Sequence, residues 1–278
     1  MGYLHSFHKL LIVNYNEKMN RNPTILTVSN ALRIMEILST APSSGVSELA
    51  RSIGCQKSTA FRLLNTLKQE GYVTQDENNE KYSLTLKLFK IGSNTVNDLD
   101  FNMAARPVIT RLSKLSSETI HLCTIENNQL VYIQKIESTY SLKVDMVSKI
   151  GQSTPLYCTG VGKVLLAYQS TETIQGFIEK TKLQKFTANT IVNSHCLIKE
   201  LEKIRISGIA YDNEEHELGV RCVAAPVFSS AGKIIAALSI AGPTIRMNPE
   251  RLKFMEELVK NAAAEITAKI NINPPHKE

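Results

Sequence analysis

Apolar positions along this chain first recur at helical spacing and later alternate. In "VSNALRIMEILST" residues 28, 31, 32, 35 and 38 are apolar, one stripe of an amphipathic helix. Pro42, Ser43, Ser44 and Gly45 break it. Ser47 is placed to N-cap a short helix over 48–53, with Glu48 in its first turn, and Gly54 ends that helix. In "GCQKSTAFRLLNTLKQEGYV", Ala60, Leu63, Leu64 and Leu67 again fall at i, i+3, i+4 and i+7. Two β-prone runs then flank the turn formers at 76–79, which predicts a hairpin. Helices are expected over about 85–96 and 102–117, with Pro107 placed to shorten or kink the second.

Beyond residue 98 strands enter. "TIHLCTI" and "LVYIQKIE", split by 126–129, read as a hairpin, and "LKVDMV" as a further strand. Helices are expected at about 161–169, 171–180 and 195–206. "GIAYDN" reads as a strand, and "RCVAAPVF" and "IIAALSIA" as a hairpin around "SSAGK". Asn248 as N-cap and Pro249 at the first helical position open a long final helix. If Ala231 and Gly232 form a two-residue turn, Cys222 faces Ala241 and Ala224 faces Ser239. Alternation then puts Val220, Cys222, Ala224, Ala237, Ser239 and Ala241 on one face. Nearly all are small. Against a helix such a face either packs very closely or leaves a pocket holding a thiol and a hydroxyl.

Composition narrows the class. The chain has 278 residues, 43% hydrophobic and 21% charged, enough for two domains of ordinary size. No apolar run approaches the roughly 18–20 residues of a membrane span, and the short run after Lys9 lacks the cleavage site of a secretory signal. The net charge of +6 permits a nucleic-acid partner without demanding one. Its excess is spread evenly, 11 Lys+Arg against 8 Asp+Glu in residues 1–98 and 21 against 18 beyond. Five scattered cysteines with no C-x-x-C pair read as reduced thiols of a cytoplasmic protein.

Local placement says more than bulk charge. Segment 46–67 meets the demands of a helix-turn-helix: small Ala50 where two helices cross, Gly54 where the chain must turn, and apolar Ala60 and Leu63 inside the second helix. The preceding helix and the following hairpin make it a winged helix-turn-helix. The polar side of the second helix carries Lys57, Ser58, Thr59, Arg62, Asn65 and Thr66, with no acid until Glu70. Bases meet phosphate or guanine, amides suit adenine, and hydroxyls reach either, so this is the expected face toward double-stranded DNA. Lys81, with Tyr82 behind it, lies on the hairpin that would touch the adjacent backbone. Two further features sit in the second half. Gly160 and Gly162 open the run "KVLLAYQ", a natural anion site at a helix N-terminus. It is not a P-loop, since Tyr157 stands where the first glycine should be and Val164 follows Lys163. Asp212 ends a strand just before "EEHE".

These stretches also carry a family resemblance. "VSELARSIGCQKSTAFRLLNTLKQEGYV" resembles the DNA-binding segment of the isocitrate lyase regulator (IclR) family of bacterial transcription factors. "ETIHLCTIENNQLVYIQKIES", "GQSTPLYCTGVGKVLLA" and "GIAYDNEEHELGVRCVAAPVF" with "AALSIAGP" resemble its effector-binding domain. The resemblance covers roughly residues 25–270. Phe61 departs from it, standing where the family often has Tyr or His in the DNA-contacting helix. The resemblance implies an α+β chain: an N-terminal winged helix-turn-helix, linker helices, and a GAF-like effector domain with an antiparallel sheet. The effector it implies is a small organic acid, held by positions matching Met146, Gly160, Val161, Asp212, Cys222, Ser239 and Ala241. Val161 and Ala241 depart from the common Ala and Ser. An ionised Asp212 favours a hydroxy or keto sugar acid, which offers it a hydroxyl, over a plain dicarboxylate.

The resulting division is a flexible extension over 1–22, the winged helix-turn-helix over 23–84, a linker helix over 85–101, the effector domain over 102–271 and a tail over 272–278. The expected protein is a repressor of carbon-catabolism genes that binds a palindromic operator as a homodimer or dimer of dimers, with no cofactor, metal or membrane partner. An enzyme is not expected, because His216 and Cys222 have no evident third orienting residue. His121 with Cys123, or His195 beside Cys196, reads as core or surface before metal ligand. The alternative is a redox or small-molecule sensor acting through Cys158 and Cys222.

Overall fold

A computed structural model describes residues 24–97, 100–141 and 153–272. The extension over 1–22, the strand expected in "LKVDMV" with Met146, and the tail beyond 272 lie outside the described residues. The chain divides into two compact units between Asn94 and Thr95.

The first unit contains α1 (Leu26–Thr40), α2 (Val46–Ile53), α3 (Lys57–Gln69), and the hairpin β1 (Val73–Gln75) and β2 (Tyr82–Leu84). Ile34, Leu38, Leu49, Ile53, Leu63, Leu64 and Leu67 close its core, joined by Val73 and Tyr82 from the hairpin. A bridge between Ser44 and Tyr82 ties the hairpin back to the turn before α2. That bridge accompanies one correction. Helix α2 begins at Val46, with Gly45 rather than Ser47 at the N-cap, and the Gly45 carbonyl accepts from the N–H groups of Glu48 and Leu49. Gly54 is left-handed, φ +70°, and returns its N–H to the carbonyls of Ala50 and Arg51. This is the sharp turn between α2 and α3 that glycine makes without strain.

Helix α4 (Lys87–Asn97) spans the division, and α5 (Asp100–Ser116) opens the second unit. Pro107 neither shortens nor ends α5. It stands on the exposed side, where the carbonyl it leaves unpaired can meet water. The remaining elements are β3 (Thr119–Glu126), β4 (Gln129–Ile136), β5 (Ser153–Thr154), a short 3₁₀ turn (Leu156–Cys158), α6 (Gly160–Ala167), α7 (Thr171–Lys180), α8 (Ser194–Ser207), β6 (Ala210–Asn213), β7 (Val220–Phe228), β8 (Ile234–Pro243) and α9 (Pro249–Ile272). The six strands form one antiparallel sheet in the order β5-β4-β3-β8-β7-β6.

Alternation sorts the two faces of this sheet. One face sends Ile120, Leu122, Val223, Ala225, Leu238 and Ile240 against α5 and α9. The other sends Cys123, Ala224 and Ala237 toward α6 and α8. The expected register of β7 on β8 is observed, Cys222 to Ala241 and Ala224 to Ser239, but the turn differs. Ser229 N–H bonds to the Lys233 carbonyl, so the loop has three residues, Gly232 taking the left-handed position at φ +70°. A register shift beside Phe228 restores the alignment that a two-residue turn would give.

Candidate functional site

Two places bring the chemistry together, one in each unit. In the first unit, α3 buries Ala60, Leu63, Leu64 and Leu67. Its opposite side leaves Lys57, Ser58, Thr59, Phe61, Arg62 and Thr66 exposed, with Asn65 half-buried. Among the described residues no ion pair occupies Lys57, Arg62 or Lys81. Thr66 is partly committed, since its hydroxyl donates to the Arg62 carbonyl at 3.1 Å. Lys81 is exposed at the foot of β2, its N–H held by the Asn79 side chain at 2.9 Å. Other nearby lysines are tied down. Lys87 donates to the Glu70 carbonyl and lies over the Tyr72 ring, and Lys68 reaches Gln75.

In the second unit a cavity of about 50 Å³ opens on the α6 side of the sheet. Six sequence-predicted residues line it: Gly160, Val161, Asp212, Cys222, Ser239 and Ala241. The small face of the sheet divides between both of its expected uses. Ala224 and Ala237 lie in the core beneath α6, whereas Val220, Cys222, Ser239 and Ala241 face the cavity. Glycine makes this approach possible. A Cβ at Gly160 would stand 3.0 Å from Cys222 Sγ, and one at Gly162 would stand 2.4 Å from the Leu156 carbonyl oxygen. The α6 entry is less open than its glycines suggest. Thr159 Oγ1 caps the helix by accepting the Gly162 N–H at 3.1 Å, and the Gly160 backbone meets the Cys222 thiol. Val161, in that first turn, lies on the cavity wall.

Electrostatics around the cavity depend on burial. Desolvation pushes the Asp212 carboxyl up to about 7, with Glu215 adding repulsion against the Glu215 N–H that Asp212 accepts at 2.8 Å. Behind it lies an ion pair that the sequence reading did not single out. Lys163, 1% exposed, bonds to Glu215 Oε1, with Glu200 at 3.9 Å. Thr190 and Thr187 hold this loop by donating to the Glu215 and Glu214 carbonyls, each at 2.6 Å. Burial raises the Cys222 thiol to about 12 and the Cys158 thiol further upward. Both remain protonated, so neither has the thiolate a redox or nucleophilic role needs, and the cysteine-sensor alternative is set aside. Sequence reasoning also missed His121, Tyr132, Thr159 and Glu217 as cavity residues, and considered His216 only as a catalytic partner.

A helix-turn-helix with an exposed basic face, followed by a small cavity with polar walls in a separate unit, points to the class of small-molecule-responsive DNA-binding regulators. The chain belongs to the IclR family. The IclR helix-turn-helix domain matches residues 27–77, and the C-terminal domain of bacterial IclR transcriptional regulators matches residues 93–268. It is 38% identical over 256 residues to the HTH-type transcriptional regulator KdgR of Escherichia coli strain K12, covering 92% of this chain and 97% of that protein. It is 34% identical over 233 residues to the HTH-type transcriptional repressor AllR of Salmonella typhi, covering 84% and 85%. Among solved structures, the IclR protein of Thermotoga maritima aligns with a TM-score of 0.73 at 31% identity, over 88% of this chain and 98% of that one. The C-terminal domain of E. coli KdgR aligns at 0.56 and 37%, over 62% and 99%. The protein is a DNA-binding transcriptional regulator. No helix among the described residues is long and apolar enough to cross a membrane.

Proposed function

We propose that the chain is a cytoplasmic repressor of carbon-catabolism genes whose grip on a palindromic operator is modulated by a small hydroxy or keto acid. The observation that carries this reading is the cavity beside the α6 entry, where six residues matched to the family's effector positions meet. Asp212 refines the ligand class. With its carboxyl near neutrality, it donates a hydrogen bond to an acid when protonated and accepts one from a ligand hydroxyl when ionised. Repression is supported by AllR, named a repressor, among the relatives. Lys57, Ser58, Thr59, Phe61, Arg62, Asn65, Thr66 and Lys81 form the DNA face in this reading. A homodimer, alone or as a dimer of dimers, is supported by apolar side chains left exposed in the first unit: Ile25, Leu26, Val28 and Leu32 near or on α1, and Leu86 and Phe89 near or on α4.

The test is a thermal-shift screen of small organic acids followed by band shifts on the gene's own upstream DNA. The reading expects at least one hydroxy or keto acid to raise the melting temperature and weaken the band shift. Binding to that DNA indifferent to every acid in the screen would sink it.

A further inference from the structure

Among the described residues, no lysine or arginine lines the cavity. A cation stands just behind its wall. Gly160 and Val161 of α6 face the cavity, and Lys163 follows on the same helix. Lys163 is 1% exposed and bonds to Glu215 Oε1. Glu215 lies in the loop after β6, and its backbone N–H donates to the Asp212 carboxylate at 2.8 Å. The next loop residues, His216 and Glu217, are cavity wall. One buried ion pair therefore joins the helix wall of the cavity to its loop wall.

The loop is fixed around that pair. Thr190 donates to the Glu215 carbonyl at 2.6 Å, and Glu214, left-handed at φ +59°, accepts the Gly219 N–H at 2.9 Å. The second carboxylate oxygen of Glu215, Oε2, is buried with no hydrogen-bond partner among the described residues. Leaving an ionised oxygen so is unfavourable, and a neutral residue would avoid it, so packing alone does not account for an acid here. Glu200 adds a further carboxylate 3.9 Å from Lys163. Charges in a buried site act over longer range than in water. The attraction of Lys163 reaches Asp212 and Cys222 on the cavity wall, and at Asp212 the repulsion of Glu215 outweighs it. The other groups around Asp212 are the Tyr132 hydroxyl and the Cys158 and Cys222 thiols, all pushed upward by burial, and the His216 backbone, which donates to it. His121 and Glu217 line the same cavity.

We propose that Glu215 is a positioning residue of this cavity: by pairing with Lys163 it keeps that cation from the site, so that an acid meets hydrogen-bond donors and no lysine. This rests on the small-acid reading above. The consequence is selection by charge. A monoanion is admitted where a dianion is repelled, and the site takes an anion best while Asp212 holds its proton.

The test compares the wild type, Glu215→Gln and the double variant Lys163→Met with Glu215→Gln. Each is titrated calorimetrically with pyruvate and with malonate at about pH 6 and about pH 8, below and above the Asp212 transition. The wild type is expected to prefer pyruvate and to bind it more weakly at the higher pH. Glu215→Gln leaves Lys163 without its anion, so pyruvate affinity at about pH 8 is expected to rise about tenfold, malonate affinity to rise more, and the pH dependence to flatten. The double variant removes cation and anion together, and is expected to return to within about threefold of the wild type and to regain its pH dependence. Lower affinity in both variants, or a gain that the double variant keeps, would mean that the pair only holds the fold, and overturns the proposal. A wild type that prefers malonate overturns it as well. A second readout needs no ligand. The Asp212 carboxyl, followed by NMR, is expected to titrate at least about one pH unit lower in Glu215→Gln, with the double variant in between. An unmoved titration overturns the proposal whatever the acids do. If the titration moves as expected and neither acid binds any of these proteins at millimolar concentration, the small-acid reading falls and takes this inference with it.

Discussion

On α3 the chemically active side chains are exposed: Lys57 and Arg62 stand in solvent, and the helix is held by the four apolar residues on its other side. Around the cavity the relation is reversed. Asp212, His121, Ser239 and Cys222 are all buried, each less than a tenth exposed, and the same atoms that shape the cavity also hold the fold. On the helix, the proposed DNA contacts and the apolar contacts that hold the fold occupy opposite sides of one element and can be altered separately. In the cavity they share side chains, and changing one disturbs the other.

The largest effect expected from that contrast is at Gly162. An added Cβ would meet the Leu156 carbonyl at 2.4 Å and Thr159 Oγ1 at 2.5 Å. The carbonyl is backbone and cannot swing aside. Gly162→Ala should therefore lower the stability of the second unit by about 3 kcal/mol and abolish any effector response. Gly160→Ala first meets a thiol, at 3.0 Å, and should cost far less. Urea unfolding of both variants checks this, and equal stabilities would show that α6 does not depend on its close approach.

On the proposed DNA face, Arg62→Ala should leave unfolding unchanged. If Arg62 reads a guanine, its loss should weaken operator binding by roughly 1–3 kcal/mol and relax one position of the site. Lys57→Ala, as a phosphate contact, should lower the log–log salt dependence by about one unit per subunit. Band shifts at several salt concentrations, beside thermal melts, measure both. A fall in melting temperature without a fall in affinity would reverse the contrast drawn above.

How far each region was legible in the sequence follows from where its signals lie. The recognition helix announces itself locally: Ala60, Leu63, Leu64 and Leu67 set the buried stripe, and the residues between them must face outward. The six small residues on β7 and β8 were found because a hairpin register is nearly local, and the turn error at residues 230–232 was cancelled by the shift beside Phe228. His121 was not found as a cavity residue, because what places it there is the pairing of β3 with β8, more than a hundred residues apart in the chain. The Lys163–Glu215 pair was missed for a similar reason. Lys163 follows a glycine-rich entry, where a lysine reads as solvated, and only the fold brings the loop after β6 over it.

Asp212 sharpens the comparison through pH. Its carboxyl is raised from an ordinary carboxylate value to about 7, so the folded chain holds a proton that the unfolded chain has already released. Stability should fall as pH rises from about 4 to about 7, by up to about 1.4 kcal/mol per unit, and level off above. Asp212→Asn keeps an acceptor for the Glu215 N–H and removes the Asp212 part of that slope, leaving the part due to Glu215, which burial also raises. The groups around Asp212 are Lys163, Glu215, Tyr132, Cys158 and Cys222, with the His216 backbone donating to it. Lys163 stays paired, and the Cys222 thiol titrates near 12, outside the window. Wild-type affinity for an anionic ligand should likewise weaken above about pH 7, where Asp212 ionises, and stay flat in Asp212→Asn. Parallel stability–pH curves for the two proteins would show that Asp212 is not the titrating group.

The smallest effect tests whether any cavity residue can be separated from the fold as the helix face can. Cys222 is the best choice. Its thiol is a weak donor, protonated at neutral pH, with the Gly160 backbone and the Ser239 hydroxyl as hydrogen-bond partners and Val220 and Ala241 packed beside it. Cys222→Ala removes one sulfur from a floor already lined by Ala241, beside the first residue of α6. The stability cost should be about 1 kcal/mol, and the loss of effector affinity a few-fold, about 0.5–1 kcal/mol. Operator affinity without effector should not change, because an effector acts on DNA binding only through its different affinities for the two arrangements of the protein. The measurement is a pair of operator titrations, with and without a saturating acid, on wild type and variant. If apo operator affinity moves as much as the response does, Cys222 takes part in the unliganded arrangement, and the division between a cavity that senses and a helix that binds does not hold at that residue.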